Sequence, residues 1–177
     1  SVPWVTDGVI NIDQNIMNWV YDSKALADAG AGTHGLWSGE WYNGFYPEGN
    51  VFCYFAPTWM VDYSMDGTVE GSVAYNGDWA ATEGPQAFFW GGTWICVATG
   101  TDNEELIKDI MLTMTTDTEL MKNMVVREDL FVNNKSAMEF IGLTDYQKDY
   151  LGGQNPMPVY HTNALKLDKS NITAYDL

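Results

Sequence analysis

The stretch GPQAFFWGGTWICVATGT, residues 84–101, combines a dense group of aromatic side chains with a flexible glycine turn. Two indoles, Trp90 and Trp94, flank a Gly-Gly-Thr sequence, and two phenylalanines come just before. Adjacent glycines weaken a core strand, whereas tryptophan is mostly buried and is uncommon in a surface loop. We therefore interpret this stretch as a place where aromatic faces and accessible backbone meet a ligand.

Composition and charge limit the classes of partner. The 177 residues, 46% of them hydrophobic, are enough for one domain with a sizeable core. The formal net charge is −16, and the sequence has no Lys or Arg between Lys24 and Lys108. Such a surface repels phosphates, so we expect no nucleic-acid partner. A neutral ligand tolerates this charge, although the plainer interpretation is that the acidity serves solubility.

Hydrophobic periodicity predicts helices at the start of the chain and short strands in its middle. A helix is predicted over 13–29, with Asp13 as its cap and Gly30 as its stop, and a shorter one near 40–45. Three apolar runs predict strands: 51–56, 72–76 and 93–98. Cys53 and Cys96 lie in the first and third of these runs, so we expect two buried free thiols, with a disulfide left open.

After Gly100 the pattern becomes helical. Residues 101–126 predict two helices, the first capped by Asp102 and Glu105. Two shorter helices are predicted over 133–142 and 144–153, and one or two helical turns in the tail. Short strands followed by a helical C-terminal half predict an α/β or α+β fold.

Two carboxylates beside tryptophans raise the question of catalysis. Glu40 and Asp78 lie in glycine-rich loops and could serve as the acid pair of a glycosidase. The chain has neither a nucleophile elbow nor a phosphate-binding loop. His34 and His161 have no ligand-like neighbours at metal spacing, so we expect no metal and no cofactor.

The six tryptophans between residues 37 and 94 all lie at predicted loops, turns or strand ends. We expect half of them to be core residues and the others to face a ligand. The C–H face of a sugar ring lies well on an indole, because the aromatic face carries negative charge density. Sugar hydroxyls also need fixed acceptors, for which Glu40, Asp62 and Asp78 are candidates. Gly91 and Gly92 would let the main chain approach a ligand closely.

Four segments carry a resemblance to a known family. They are LWSGEWYNGFYPEGNVFCYFAPTW at 36–59, VAYNGDWAATEGPQAFFWGGTW at 73–94, FVNNKSAMEF at 131–140 and LGGQNP at 151–156. Together they resemble the extracellular solute-binding proteins of carbohydrate ABC transporters, in the Firmicutes branch of the maltose-binding-protein-like superfamily. The resemblance covers essentially the whole chain and corresponds to the later half of such a protein, so the first lobe, the signal peptide and the C-terminal return are expected elsewhere.

The resemblance implies a partial periplasmic-binding-protein-like fold of type II, in which two α/β lobes close on a sugar. It assigns 1–88 mainly to one lobe, 89–100 to the crossing between lobes, 101–141 to helices that pack on the other lobe, and 142–177 to a helical return. The implied partners are a mono- or oligosaccharide, the missing N-terminal lobe and the membrane permease subunits. The implied location is the cell surface, as an extracellular lipoprotein.

By position, the resemblance makes Trp59 the ring that stacks on sugar. Trp90, with Gly91 and Gly92, resembles the segment that lines the cleft, and Trp41 and Asp78 are further expected contacts. A protein of this family binds its ligand without catalysis. The alternative is a glycoside hydrolase or accessory carbohydrate-binding module acting through Glu40 and Asp78, and a third hypothesis is a purely structural surface domain.

Overall fold

The structure, a computed structural model, divides into two compact units. It describes residues 4–32, 34–65, 67–128 and 130–168. One unit lies within residues 1–43 and 168–177, and the other within 44–167. Among the described residues, no helix is long and apolar enough to cross a membrane.

The first unit begins with a two-stranded antiparallel ribbon. Strand β1, Val5–Thr6, pairs with β2, Val9–Ile10. The turn between them is Asp7-Gly8, and both residues have positive φ, at 52° and 77°. Two residues with positive φ match the right-handed twist of a tight hairpin, and Asp-Gly supplies them at low cost.

Helix α1, Gln14–Asp28, confirms the helix predicted near the start of the chain. The carboxylate of Asp13 accepts a hydrogen bond from the Asn15 backbone N–H at 2.8 Å. At the other end, Gly30 adopts φ 69° and the Ala31 N–H donates to the Leu26 carbonyl at 2.9 Å. This is the glycine-terminated end that the sequence predicts.

Helix α2 is Gly39–Asn43, close to the short helix predicted near 40–45. The described residues of the second unit form the helices α3 Trp59–Tyr63, α4 Glu104–Thr116, α5 Thr118–Glu128, α6 Lys135–Gly142 and α7 Met157–Leu165. Pro47–Gly49 and Asp149–Leu151 each form one turn of 3-10 helix.

Two local predictions in this unit are wrong. The first residue of α4 is Glu104, preceded by Asn103, so Asp102 and Glu105 do not stand in the positions of a cap pair. The helix predicted over 144–153 is reduced to one 3-10 turn. The last two residues of the predicted span, Gly152 and Gly153, have φ of 60° and 80°, outside the range of a right-handed helix.

The core of the second unit lies where α5, α6 and α7 pack together. Its fully buried side chains include Val125 on α5, Met138 and Ile141 on α6, and Met157 on α7. Spacings of three and four residues put such side chains on one helix face. Burying each of them contributes roughly 1.5–3 kcal/mol.

The three predicted strands are not formed, although the structure describes all of their residues. Positions 51–56 and 93–98 are irregular, and 72–76 is a series of turns. Phe52 is 97% exposed and Trp94 is 82% exposed. An apolar run becomes a strand only beside a neighbour that accepts its ladder of hydrogen bonds. The periplasmic-binding-protein-like fold and its lobe boundaries stay predictions.

The cysteines also differ from expectation. Cys53 and Cys96 are free thiols, but both are exposed rather than buried. Their exposure follows from the missing strands, because a residue in an unpaired segment has no sheet to be buried beneath. The prediction of buried thiols is therefore wrong.

Candidate functional site

Helix α3 places an indole and a carboxylate close to each other. Pro57 stands before the helix, and its carbonyl accepts the Met60 N–H at 3.1 Å, which closes the first turn. Trp59 and Asp62 are three residues apart, so they lie on the same side of the helix. Trp59 is half-buried, and the Asp62 side chain is 14% exposed. Two of the residues that the sequence proposes as ligand contacts therefore lie next to each other on α3.

A buried lysine holds the Asp62 carboxylate. The Lys148 ammonium forms an ion pair with Oδ1 of Asp62, and the lysine side chain is only 1% exposed. The same ammonium lies 5.7 Å from the centre of the Tyr150 ring. A buried charge is strongly unfavourable without a partner of opposite charge. The pair therefore fixes the orientation of the carboxylate.

A buried tyrosine lies within the field of the same carboxylate. The phenol oxygen of Tyr160, on α7, is buried and has no hydrogen-bond partner among the described residues. Burial raises the pKa of Tyr160, and the negative charge of Asp62 raises it further. The phenol consequently stays protonated at neutral pH. We refer to Asp62, Lys148 and Tyr160 as the ion-pair cluster.

The turn that carries Lys148 packs against the glycine-rich segment around residue 77. A Cβ on Gly77 would lie 2.8 Å from the carbonyl oxygen of Asp149, so only glycine fits this approach. The Gln154 side chain accepts from the Ala81 N–H at 2.7 Å and donates to the Ala81 carbonyl at 2.8 Å. The structure thus brings together the second and fourth of the family-like segments.

Asp78 lies beside this contact and is exposed, with its backbone N–H donating to the Val73 carbonyl at 3.1 Å. Trp79 is half-buried, and its ring meets Tyr54 edge to face at 5.8 Å. Its indole Nε1 is buried without a hydrogen-bond partner among the described residues. Burial also raises the pKa of Tyr54.

The Trp90 segment is irregular and open to solvent. Trp90 is 47% exposed, and its ring meets Phe88 edge to face at 6.2 Å. Gly91 has φ 112°, a value that side chains rarely tolerate. A Cβ at Gly91 or Gly92 would meet nothing within 4 Å among the described residues. These glycines therefore leave open space beside an accessible indole.

Two candidates belong to the other unit. The Trp41 ring is only 5% exposed and packs edge to face on Trp37 at 5.1 Å and on Tyr42 at 5.0 Å. Glu40, the preceding residue of α2, is exposed. An indole buried to this extent contributes chiefly to packing.

The glycosidase alternative depends on Glu40 and Asp78. The two carboxylates belong to different compact units, and both are exposed. Glycosidases commonly hold the acid in an apolar pocket, where burial favours the protonated form. The described residues contain no group of three or more His, Cys, Asp or Glu side chains that could hold a metal.

Sequence reasoning missed Lys148 and Tyr160. Lys148 lies in a loop and Tyr160 in a short helix, and neither position belongs to a recognisable motif. The only signal was that a lysine so close to LGGQNP is one of just eight basic residues in the chain.

In comparisons with known proteins, no family model, no curated protein and no solved structure matches this chain.

Proposed function

We propose that this chain is the carbohydrate-binding portion of an ABC-importer solute-binding protein. The observation that carries the proposal is the pair on α3: a half-buried indole, Trp59, with the carboxylate of Asp62 one turn later. Sugars are recognised by this combination, because the ring face stacks on an aromatic surface while hydroxyls donate to fixed oxygens. Trp90, exposed beside Gly91, supplies a second aromatic surface.

Charge supports a neutral ligand. The sequence has no Lys or Arg from residue 25 to 107 and carries a net charge of −16. Lys148, the cation next to the α3 pair, is buried and already paired with Asp62. An anionic ligand would therefore meet repulsion at this site.

The remaining parts of the proposal come from the family resemblance. The sugar is enclosed when a second lobe, outside this chain, closes on it. The closed protein delivers the sugar to the permease subunits of the importer, and a lipid anchor outside this chain holds it at the cell surface. Catalysis has no part in this function.

The test is isothermal titration calorimetry of the full-length protein with maltotriose, cellotriose, xylotriose and mannotriose. We expect Trp59→Ala and Trp90→Ala each to weaken binding of the best ligand more than tenfold, about 1.4 kcal/mol. Each substitution removes an aromatic surface on which a sugar ring lies. Trp19→Ala is the matched control, since this indole on α1 is 68% exposed and is not a proposed contact.

Unchanged affinity in both variants would remove the assignment of these rings. The glycosidase alternative is checked with the same protein and chromogenic glycosides. Release of product that is abolished by Glu40→Gln would favour the enzyme over the transport protein.

A further inference from the structure

We propose that Lys148 is a positioning residue of the carbohydrate site: its ammonium holds one oxygen of Asp62, so that the carboxylate meets sugar hydroxyls beside Trp59 in a fixed orientation. The inference rests on the proposed function and adds to it a residue that does not itself touch the ligand.

The exposures of the two partners differ in the way this role requires. The Lys148 side chain is 1% exposed, whereas the Asp62 side chain keeps 14% of its surface accessible. A ligand can therefore reach part of the Asp62 side chain but not the side chain of Lys148.

The lysine can act as a fixed point because its own backbone is held. The Lys148 carbonyl accepts from the Leu151 N–H at 3.0 Å and from the Gly153 N–H at 3.1 Å. The Lys148 N–H donates to the Gln154 carbonyl at 3.1 Å. A loop tied in this way loses little further freedom when the ammonium is fixed to a carboxylate.

The same loop packs on the chain that follows α3. A Cβ on Gly67 would overlap the ring of Tyr150, so the tyrosine ring lies directly on this glycine. The Lys148 ammonium is 5.7 Å from the centre of that ring. The loop of Lys148 and the segment that follows α3 are thus in contact at a second point, besides the ion pair.

Stability alone is a weak explanation for this pair. Replacing a buried ion pair by apolar groups is often neutral or stabilising, because desolvation offsets the attraction. A pair that joins residues 86 positions apart, next to a candidate binding ring, is better explained by orientation. An oriented acceptor gains affinity because little entropy is lost when the ligand binds.

The experiment compares three variants of the full-length protein, Lys148→Met, Asp62→Asn and the double variant Asp62→Asn with Lys148→Met. Binding of the best trisaccharide from the panel is measured by calorimetry, and thermal unfolding is measured in parallel. Lys148→Met is expected to weaken binding more than tenfold and to lower the unfolding temperature, because it removes the buried ammonium that pairs with Asp62.

The double variant separates positioning from folding. With both charges removed, it is expected to recover most of the thermal stability while binding stays more than tenfold weaker, because the carboxylate is absent. Lys122→Met is the matched control. The Lys122 ammonium pairs with Glu119 at 2.8 Å, and neither residue belongs to the ion-pair cluster.

Two results would overturn the inference while leaving the proposed function intact. One is a Lys148→Met variant that binds as the wild type does, and the other is a double variant that regains both stability and affinity. If the wild-type protein binds none of the trisaccharides, the proposed function fails and the inference falls with it.

Discussion

The phenol of Tyr160 is an unusual group at the scale of single residues. Its oxygen is buried and has no hydrogen-bond partner among the described residues. A hydroxyl removed from water without a partner costs about 1–3 kcal/mol. The tyrosine is nevertheless buried in the core cluster, where its ring meets Phe131 edge to face at 6.2 Å.

Tyr160→Phe keeps the ring and removes the unpaired hydroxyl. We expect the free energy of unfolding to rise by about 1 kcal/mol, measured by urea denaturation at neutral pH. Tyr75→Phe is the control, because Tyr75 is 52% exposed and its hydroxyl is not sealed in the core. A loss of stability of the same size at Tyr160 would contradict the account and would mean that the hydroxyl is bonded.

The same substitution also predicts a change in pH dependence. Burial, and then the charge of Asp62, raise the pKa of Tyr160 above its ordinary value. Below about pH 10 the phenol is protonated in both folded and unfolded states. Above that pH the unfolded state releases the proton first, so stability falls as pH rises. Urea midpoints measured between about pH 9 and 11 should fall less steeply in Tyr160→Phe than in the wild type.

At the scale of secondary structure, Asn134 joins three helices. Its side chain accepts from the Ala137 N–H at 2.9 Å and so caps α6. The amide nitrogen donates to the carbonyl of Thr116 and to the hydroxyl of Thr118, each at 3.2 Å. These two residues are the end of α4 and the start of α5, so one side chain links the ends of three helices.

We expect Asn134→Ala to lower the free energy of unfolding by about 1–2 kcal/mol, because substitution of a capping residue by alanine has this effect. Asn103→Ala provides the control. Asn103 precedes α4 in the same way, but within the described residues its side chain makes no capping hydrogen bond. Equal losses in chemical denaturation of the two variants would contradict the role of Asn134.

Helices were predictable where their signals are local. Asp13 and Gly30 define the ends of α1 through contacts within five residues, so a short window of sequence contains what is needed. A strand depends on a neighbour that a short window does not contain. The run 51–56 is apolar enough for a strand, but in the described residues Phe52 has no sheet to cover it.

At the scale of the whole molecule, the candidate site was predictable only in part. Trp59 was assigned by its position in the family resemblance, and Asp62 was a candidate because sugar hydroxyls need fixed acceptors. Lys148 is 86 residues from Asp62, and no pattern in the sequence joins the two. Contacts of this separation are set by tertiary packing, here by the turn that follows Lys148 and by Gly77.

Net charge acts at this scale as well. A charge of −16 on 177 residues disfavours anionic ligands generally, whereas it affects a neutral ring very little. The central claim is that the protein binds a neutral sugar, and it therefore predicts different affinities for two closely matched groups of ligands. Neutral oligosaccharides and their uronic-acid counterparts have the same rings but differ in charge.

The most direct measurement is calorimetry of the full-length protein with maltotriose and cellotriose, compared with trigalacturonic acid at the same ionic strength. We predict saturable binding of at least one neutral trisaccharide and binding of the triuronate that is weaker by more than tenfold. Absence of heat with every neutral sugar, or tighter binding of the triuronate, would contradict the account.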